Sequence, residues 1–352
     1  MNIYSIKTNK MEKTILVTGG TGYIGAWVTK KLLEKGYIVR LAVRDKSRTD
    51  KYQYLQDISE KNEGKLELWE ADLLKMGSYD AAAQGAEAII HMASPFTLRF
   101  KDPIKDLIEP AVNGTKNVLE AANKSESVKR VVLTSSVAAV HGDTIDMTES
   151  GLSEFTEEHF NYSSSPKHQP YSYSKVAAEK AAWDIAKNQA NWELVVINPS
   201  FVMGPSLSKT SDSESINFMK DMLSGKFKSG APDLQFGFVD VRDVADAHIL
   251  ALENEDAEGR HILAERTAGV LDVVNIIRNE FGEKYKLPKK HAPKFVLMLM
   301  GWMFGISRKF VKNNVGYPLK LNTTKSIEKL KLKYMPLEQT LKDMVLQMEE
   351  NK

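Results

Sequence analysis

Short runs of aliphatic and β-branched residues alternate with longer amphipathic stretches through about the first 200 residues of the chain. The short runs predict six strands, at Thr14–Thr18, Ile38–Val43, Leu66–Glu70, Ala88–Met92, Arg130–Thr134 and Leu194–Asn198. The longer stretches have helical spacing, at Ile24–Glu34, Ile104–Asn123 and Ser174–Asn188. Because nearly continuous apolar strands alternate with helices, we expect an α/β fold with a doubly wound parallel sheet covered on both faces.

The pattern becomes irregular after Pro199. Residues 204–232 are rich in Ser, Lys and Gly and predict a loop with one embedded helix, before a helix at Val241–Leu252 and a strand at Arg260–Ala264. From Thr267 onward the helical pattern is interrupted by prolines. We therefore expect a larger α/β domain of residues 12–198 plus 238–265, and a smaller, mostly helical domain of residues 199–237 plus 266–352.

Composition narrows the class of protein. The 352 residues include 48 Lys and Arg against 46 Asp and Glu, so a net charge of +2 argues against charge-driven binding to nucleic acid or an anionic membrane. The chain has no cysteine, which excludes disulfides, thiolate metal sites and a cysteine nucleophile. The first ten residues are polar and lack the apolar core of a secretory signal, and we expect a cytoplasmic enzyme.

One apolar run, Phe295 to Ile306, needs separate consideration. It has 12 residues, whereas a bilayer-spanning helix needs about 20. The flanking basic residues would also suit an interfacial helix, but we expect a buried or pocket-lining helix. Its large side chains favour the core over a substrate pocket, and they are Met298, Met300, Trp302, Met303 and Phe304.

Three glycines follow the first predicted strand and precede the first predicted helix. They are Gly19, Gly22 and Gly25, in the spacing G-x-x-G-x-x-G. In a strand–turn–helix context such glycines permit a tight turn, close approach of the backbone to a pyrophosphate, and close helix–sheet packing. The N–H groups of Tyr23 and Ile24 would then face the phosphates at the helix N-terminus. We expect a dinucleotide-binding site.

The residue at the end of the second strand distinguishes NAD from NADP. NAD-binding proteins commonly place an acidic residue there, which holds the ribose 2′-OH. Here the position is Arg44, and a guanidinium suits a 2′-phosphate. Asp45, which comes next, keeps NAD as an alternative, and Lys51 offers a second cation. We expect NADP(H).

Tyr171 and Lys175 are candidate catalytic residues because they stand at i and i+4 in a predicted helix. That spacing places both side chains on one face, where an ammonium can lower the pKa of the phenol. A Tyr-x-x-x-Lys pair alone is a weak signal. The predicted strand Arg130–Thr134, however, ends directly before Ser135 and Ser136, at the sheet edge where doubly wound folds bind ligands. Either serine could orient a substrate carbonyl.

Taken in order, these segments resemble the extended short-chain dehydrogenase/reductases. Within them they resemble the dihydroflavonol 4-reductase-like group of the NAD-dependent epimerase-dehydratase superfamily, which includes cinnamoyl-CoA reductases and microbial aldehyde/ketone reductases. The resemblance covers about Lys13 to Glu265. Its motifs are TGGTGYIG (18–25), VRD (43–45), ADL (71–73), HMASP (91–95), VNGTKNVLEA (112–121), LTSS (133–136), YSYSK (171–175), NPSFVMGP (198–205) and VDVRDVADAHI (239–249).

The resemblance implies a Rossmann cofactor domain and a role for each matching residue. It implies that Tyr171 donates the proton and that Lys175 binds the nicotinamide ribose, with Ser136 as the serine because it precedes Tyr171 by the spacing expected in this group. It further implies cofactor contacts to the 2′-phosphate from Arg44 and Lys51, to the adenine from Asp72 and Leu73, to the dinucleotide from Ala93 and Ser94, and to the nicotinamide from Pro199 to Val202.

One position departs from the group. Five residues after Ser136, flavonol-type members tend to have Asn or Asp, whereas this chain has His141, which argues against a flavonoid substrate. The remaining histidines show no metal-ligand spacing, and we expect no metal.

The predicted function is NADPH-dependent reduction of a small-molecule aldehyde or ketone, by a monomer or homodimer without nucleic-acid or membrane partners. Two alternatives stay open. One is another enzyme of the superfamily, either a sugar-nucleotide epimerase/dehydratase or a sterol-type dehydrogenase. The other is a dinucleotide-sensing regulator without turnover.

Overall fold

A parallel sheet of seven strands forms the centre of the computed structural model, which describes residues 13–94, 100–208, 213–301 and 305–350. The strand order is β3-β2-β1-β4-β5-β6-β9, and every neighbouring pair is parallel. These strands are β1 (Thr14–Thr18), β2 (Ile38–Val43), β3 (Lys65–Glu70), β4 (Ala88–His91), β5 (Arg130–Thr134), β6 (Glu193–Pro199) and β9 (Gly259–Leu263). The predicted doubly wound α/β fold is confirmed.

Helices cover both faces of this sheet and outnumber the strands in the second half of the described chain. They are α1 (Tyr23–Glu34), α2 (Gln53–Glu60), α3 (Asp80–Ala83), α4 (Glu109–Asn123), α5 (Ile145–Glu149), α6 (Pro170–Ala186), α7 (Glu214–Leu223), α8 (Val241–Glu253), α9 (Val270–Phe281), α10 (Lys294–Met300), α11 (Arg308–Asn314), α12 (Thr324–Glu328) and α13 (Leu337–Glu350). A π-helical turn, Ile104–Ile108, leads into α4, and short 3-10 turns lie at Thr49–Lys51, Val137–Ala139 and Gly282–Lys284.

Buried apolar residues explain why the helices pack where they do. On one face of the sheet Val28 and Leu32 of α1 and Val244 of α8 pack against strand residues such as Val17 and Leu41. On the other face the buried side of α4 packs against β4 and β5, with Trp192 closing the layer. The helices on the large sheet thus bury an apolar face, which is the main stabilising contribution of such a layered fold.

A second, three-stranded sheet was not anticipated from the sequence. Its order is β10-β8-β7, with β7 (Phe201–Met203), β8 (Gln235–Asp240) and β10 (Arg266–Gly269), and β10 runs antiparallel to β8. The second region thus contains this small sheet in addition to its helices. A separate apolar cluster packs this sheet against α7, α9 and α13.

The apolar run at 295–306 is only partly buried. Leu297 and Met298 of α10 pack against the core of the second region, whereas Phe295 is 67% exposed and Leu299 is 61% exposed. The sequence predicts a buried or pocket-lining helix here, and part of the segment is instead exposed. Trp302, Met303 and Phe304 lie outside the described residues, as do the first twelve residues. Within the described ranges, we find no helix with the length and hydropathy that a bilayer crossing needs.

Candidate active site

The carboxyl ends of β1, β4, β5 and β6 lie side by side, because these four strands are neighbours in the sheet. The glycine turn follows β1, Ala93 and Ser94 follow β4, the two serines follow β5, and Pro199 ends β6. The chain order reverses between β1 and β4, which is where doubly wound sheets open a ligand crevice. Residues that are distant in the sequence thus meet at one edge.

The glycine turn has almost no room for side chains. Gly19 adopts a left-handed φ of +71°, and a Cβ there would lie 2.7 Å from the Ala93 nitrogen. A Cβ on Gly25 would lie 2.1 Å from the Gly19 carbonyl oxygen, so α1 packs directly on the turn. Gly22, in contrast, is exposed and stands at the N-cap of α1. The turn therefore presents bare backbone to the crevice.

The N-terminus of α1 fits an anion. No side chain caps it, and its first turn carries no acidic residue. Tyr23 and Ile24 are its first two residues, so their N–H groups belong to the set that helices leave without an internal partner. Backbone donors together with the helix dipole attract phosphate oxygens. The donor set present here therefore suits a dinucleotide pyrophosphate.

The side chain of Tyr23 has a structural contact that the sequence did not indicate. Its hydroxyl donates a hydrogen bond of 2.6 Å to the Gly204 carbonyl oxygen, and burial raises its pKa well above the usual value. One turn further, the Trp27 indole N–H donates to the Pro205 carbonyl oxygen at 2.9 Å. The two bonds tie α1 to the loop that follows β7.

Arg44 directly follows β2, is exposed, and makes no hydrogen bond or ion pair with any other residue that the structure describes. Asp45 is engaged locally, since its carboxylate accepts bonds of 2.6 and 2.8 Å from the hydroxyl and N–H of Ser47. These bonds lower the pKa of Asp45. Lys51 lies half-buried at the end of the Thr49–Lys51 turn. Arg44 is thus available to a ligand, whereas Asp45 already has donors.

The loop after β3 carries Asp72 and Leu73. Asp72 is exposed, whereas Leu73 is buried and packs against Gly114 of α4. A Cβ added to Gly114 would lie 2.5 Å from Cγ of Leu73. Asn117 of α4 holds the loop, because its amide donates to the carbonyl oxygens of Leu73 at 3.0 Å and of Lys75 at 2.9 Å. The sequence analysis did not single out Asn117, although it lies within the VNGTKNVLEA motif.

Thr18 ends β1 and His91 ends β4, and the two side chains contact each other. The Thr18 hydroxyl lies 2.7 Å from His91 Nδ1 and accepts a hydrogen bond from the Ala93 N–H at 3.2 Å. Burial lowers the pKa of His91 to about 3, so the ring is neutral. These bonds position Ala93 and, next to it, the exposed Ser94. Pro95, the last residue of the HMASP motif, lies outside the described residues.

Ser136, Tyr171 and Lys175 come together at this edge. The Ser136 hydroxyl interacts with the Tyr171 hydroxyl and favours its ionised form, which lowers the pKa of the phenol. The Lys175 ammonium lies 5.7 Å from the centroid of the Tyr171 ring, as the i, i+4 spacing predicts. The helix that carries both begins at Pro170, behind Gln169, whose left-handed φ of 54° turns the chain into it. Ser135, by contrast, directs its hydroxyl to Glu179.

Burial changes the acidity of the pair. It raises the pKa of Tyr171 to about 12, an effect that the bond from Ser136 partly offsets. It lowers the pKa of Lys175 to about 8, and the charge of Glu179 opposes this shift. Tyr171 is therefore a protonated phenol at neutral pH, and Lys175 carries most of its positive charge there. A proton donor next to a cation is the arrangement that stabilises a developing oxyanion.

Two of the residues expected beside the nicotinamide are buried behind this site. Pro199 ends β6 and Val202 lies in β7, and both are buried. His141 stacks on Phe155 at 5.1 Å between ring centroids, and burial lowers its pKa to about 4. Within the described ranges no cluster of His, Asp or Glu could hold a metal ion.

The chain is similar to known proteins both in sequence and in structure. A model of the NAD dependent epimerase/dehydratase family matches residues 15–264. The chain is 36% identical over 350 residues to cinnamoyl-CoA reductase CAD2 of Medicago truncatula, covering 99% of each chain. It is 33% identical to dihydroflavonol 4-reductase of Gerbera hybrida, over 79% of this chain and 75% of that protein. The crystal structure of yeast methylglyoxal/isovaleraldehyde reductase Gre2 complexed with NADPH is similar at a TM-score of 0.77 and 28% identity, covering 96% of this chain and 98% of that one.

Proposed function

The chain belongs to the NAD dependent epimerase/dehydratase family, as its motifs predict, and we propose that it is an NADPH-dependent reductase that converts an aldehyde or ketone to an alcohol. The meeting of Ser136, Tyr171 and Lys175 beside the glycine turn is the observation on which this proposal rests. A hydroxyl, a phenol and an ammonium at one sheet edge suit proton delivery to a carbonyl oxygen.

The cofactor would lie across the crevice between β1 and β4. The pyrophosphate would bind at the N–H groups of the glycine turn and α1, and Arg44 with Lys51 would bind the 2′-phosphate. The adenine would contact Asp72 and Leu73, and the loop of Ala93 and Ser94 would flank the dinucleotide. The nicotinamide would lie near Pro199 and Val202. When bound, NADPH supplies a hydride from its nicotinamide C4.

The protein supplies orientation and a proton. Ser136 would donate a hydrogen bond to the substrate carbonyl oxygen, and Tyr171 would protonate that oxygen as the carbonyl carbon is reduced. Lys175 would hold the ribose and stabilise the phenolate that Tyr171 leaves behind, since a nearby cation favours the charged form of a phenol. The 5.7 Å between the ammonium and the ring centroid supports this role.

The relatives support the reaction class. Two of them are a cinnamoyl-CoA reductase and a dihydroflavonol 4-reductase, and the yeast protein is a methylglyoxal/isovaleraldehyde reductase complexed with NADPH. We also propose that residues 12–198 plus 238–265 bind the cofactor and that residues 199–237 plus 266–352 bind the substrate. The separate apolar core of the second region supports this division, although β8 extends across the boundary at 237.

The test is NADPH oxidation at neutral pH with a panel of aldehydes, ketones and flavanonols, with NADH as the comparison. We expect turnover of aldehydes or ketones with NADPH. Tyr171→Phe removes the phenol proton and should abolish turnover while NADPH still binds. Tyr173→Phe, two residues along the same helix, is the matched control and should remain active.

Other outcomes would replace the proposal. Purified protein that carries NAD and acts on a UDP-sugar would be an epimerase. NADPH binding without turnover of any carbonyl compound would indicate a sensing protein. Full activity of Tyr171→Phe would contradict the assigned proton donor.

A further inference from the structure

A carboxylate lies one helical turn beyond Lys175, in the interior of the protein. Glu179 is on α6, and its side chain has an exposure of 0%. A buried carboxylate is unfavourable unless it is paired and its oxygens accept hydrogen bonds. The partners of Glu179 therefore indicate which parts of the structure it connects.

The two carboxylate oxygens serve different partners. Oε2 accepts hydrogen bonds from the Ser135 hydroxyl and, at 2.8 Å, from the Asn198 amide. Oε1 lies 2.6 Å from Nε of Arg260 and accepts a bond of 3.3 Å from the Trp183 indole. Ser135 follows β5, Asn198 lies in β6 and Arg260 in β9, so one side chain joins α6 to three neighbouring strands.

A second bond extends this connection to the proposed active site. The Asn198 amide that donates to Glu179 also donates to the Ser136 carbonyl oxygen at 3.2 Å. The Ser136 hydroxyl in turn meets Tyr171, which is on the same helix as Glu179. The contacts therefore form a closed ring, in which the distance between Ser136 and Tyr171 depends on how firmly Glu179 holds the end of β5.

We propose that Glu179 is a positioning residue for catalysis: its carboxylate fixes the Ser135–Ser136 segment and Asn198 against α6 and so sets the geometry between Ser136 and Tyr171. This inference rests on the proposed function. Glu179 does not touch the reacting atoms in this arrangement. It acts through Ser135 and Asn198, and small displacements of catalytic groups are enough to slow a reaction strongly.

The charge of Glu179 provides an independent readout. Lys175 faces Tyr171 and Glu179 on its own helix and the neutral His91 from β4, while Arg260 from β9 pairs with the far side of the Glu179 carboxylate. Glu179 raises the pKa of Lys175 against the effect of burial. Loss of its charge should therefore move the alkaline limb of the activity profile to lower pH, which a purely structural role would not do.

The experiment compares Glu179→Gln with Glu193→Gln in the full chain. Glu193 forms an ion pair of 2.6 Å with Arg130 at the opposite ends of the same two strands, β5 and β6. Both variants remove one carboxylate charge from an ion pair, so Glu193→Gln is the matched control. Measurements are the melting temperature, the Kd for NADPH, kcat and KM for a carbonyl substrate, and kcat/KM against pH.

For Glu179→Gln we expect kcat to fall about tenfold or more, with the NADPH Kd unchanged within about twofold because the glycine turn and Arg44 lie on other elements. The alkaline limb should move to lower pH. Glu193→Gln should keep kcat and the pH profile. A folded Glu179→Gln protein with the kcat and pH profile of the original would overturn the inference.

Two further variants cover the case in which Glu179→Gln does not fold. Ser135→Ala and Asn198→Ala each remove one bond to Glu179 without leaving a charge unpaired, and each should lower kcat severalfold at unchanged NADPH affinity. Normal kcat in both would overturn the inference. If the unaltered protein reduces no carbonyl compound, the proposed function fails first; if it does and these variants match it, only the role of Glu179 fails.

Discussion

The Lys175 ammonium donates a hydrogen bond to the Ser94 hydroxyl at 3.3 Å, and so joins α6 to the loop after β4. Residues separated by 81 positions in the chain thereby meet at the crevice. The bond brings together two residues expected to contact the cofactor. Measurable consequences follow from this lysine, from Arg44 and the glycine turn, and from a buried carboxyl on α8.

The first concerns pH. Burial lowers the pKa of Lys175 to about 8, so the ammonium is present below pH 8 and is lost as the pH rises through that value. With the charge gone, Tyr171 loses the cation that stabilises its phenolate. We expect kcat/KM for carbonyl reduction to fall above about pH 8. In Lys175→Arg the side chain stays charged, so a weaker activity should continue without that limb. An unchanged limb in Lys175→Arg would assign it to another group.

The second concerns cofactor choice. Arg44→Ala removes the guanidinium that would bind the 2′-phosphate, and the NADPH Kd should rise about 10- to 100-fold, as expected for a lost charged hydrogen bond. The NADH Kd should not change. Arg48→Ala is the matched control, because Arg48 is exposed in the same loop but pairs with Asp50 at 2.9 Å. Equal loss of NADPH affinity in both variants would indicate a general charge effect.

The third contrasts two glycines of one motif. In Gly25→Ala the new Cβ would lie 2.1 Å from the Gly19 carbonyl oxygen, and overpacking of this kind should destabilise the protein by about 3 kcal/mol. In Gly22→Ala the corresponding distance is 3.2 Å, so the protein should fold while the methyl group obstructs the phosphates. Thermal melts and NADPH titrations separate the two effects. Normal NADPH binding by Gly22→Ala would move the pyrophosphate away from this turn.

The fourth concerns Asp243, a buried carboxyl of α8 that accepts a hydrogen bond from the Met335 N–H at 2.7 Å. Burial, with Asp240 and Asp246 nearby, raises its pKa to about 7. A folded-state pKa above the unfolded value means that stability is greatest at low pH and is lost as the pH rises through 7. Asp243→Asn keeps the acceptor and cannot ionise.

Stability curves in denaturant at several pH values test this prediction. Between about pH 4 and 7 the variant should gain on the original protein by at most about 1.4 kcal/mol per pH unit. The stability of the variant minus that of the original protein should therefore be greater at pH 8 than at pH 4. A difference in unfolding free energy that stays constant across this range would show that Asp243 ionises as readily in the folded protein as in the unfolded one.

Much of the large sheet was predictable because its signals are local. The bounds of β1, β2 and β5 match the predicted strands residue by residue, since each is rich in aliphatic, mostly β-branched residues. The strands of the small sheet were missed because β7 has three residues and β10 has four, including a glycine. Such short segments have no readable alternation and become strands through pairing with β8.

The two serines show where sequence reasoning stops. Ser135 and Ser136 are adjacent and chemically identical, and only a family spacing favoured one of them. Successive side chains of an extended chain point to opposite sides. In the structure one hydroxyl therefore faces Glu179 and the other faces Tyr171. Which serine faces which side depends on how β5 lies between its neighbours.

The sequence by itself determined the alternation of strands and helices in the large sheet, the glycine turn, the pairing of Tyr171 with Lys175, and the cation at the end of β2. Each of these depends on residues within one element, whose spacing fixes their geometry. The tertiary structure alone decided that Glu179 meets Arg260 and that Tyr23 binds Gly204, 181 residues away. Those contacts arise when crossover connections bring separate elements together, and no local periodicity encodes which of them become neighbours.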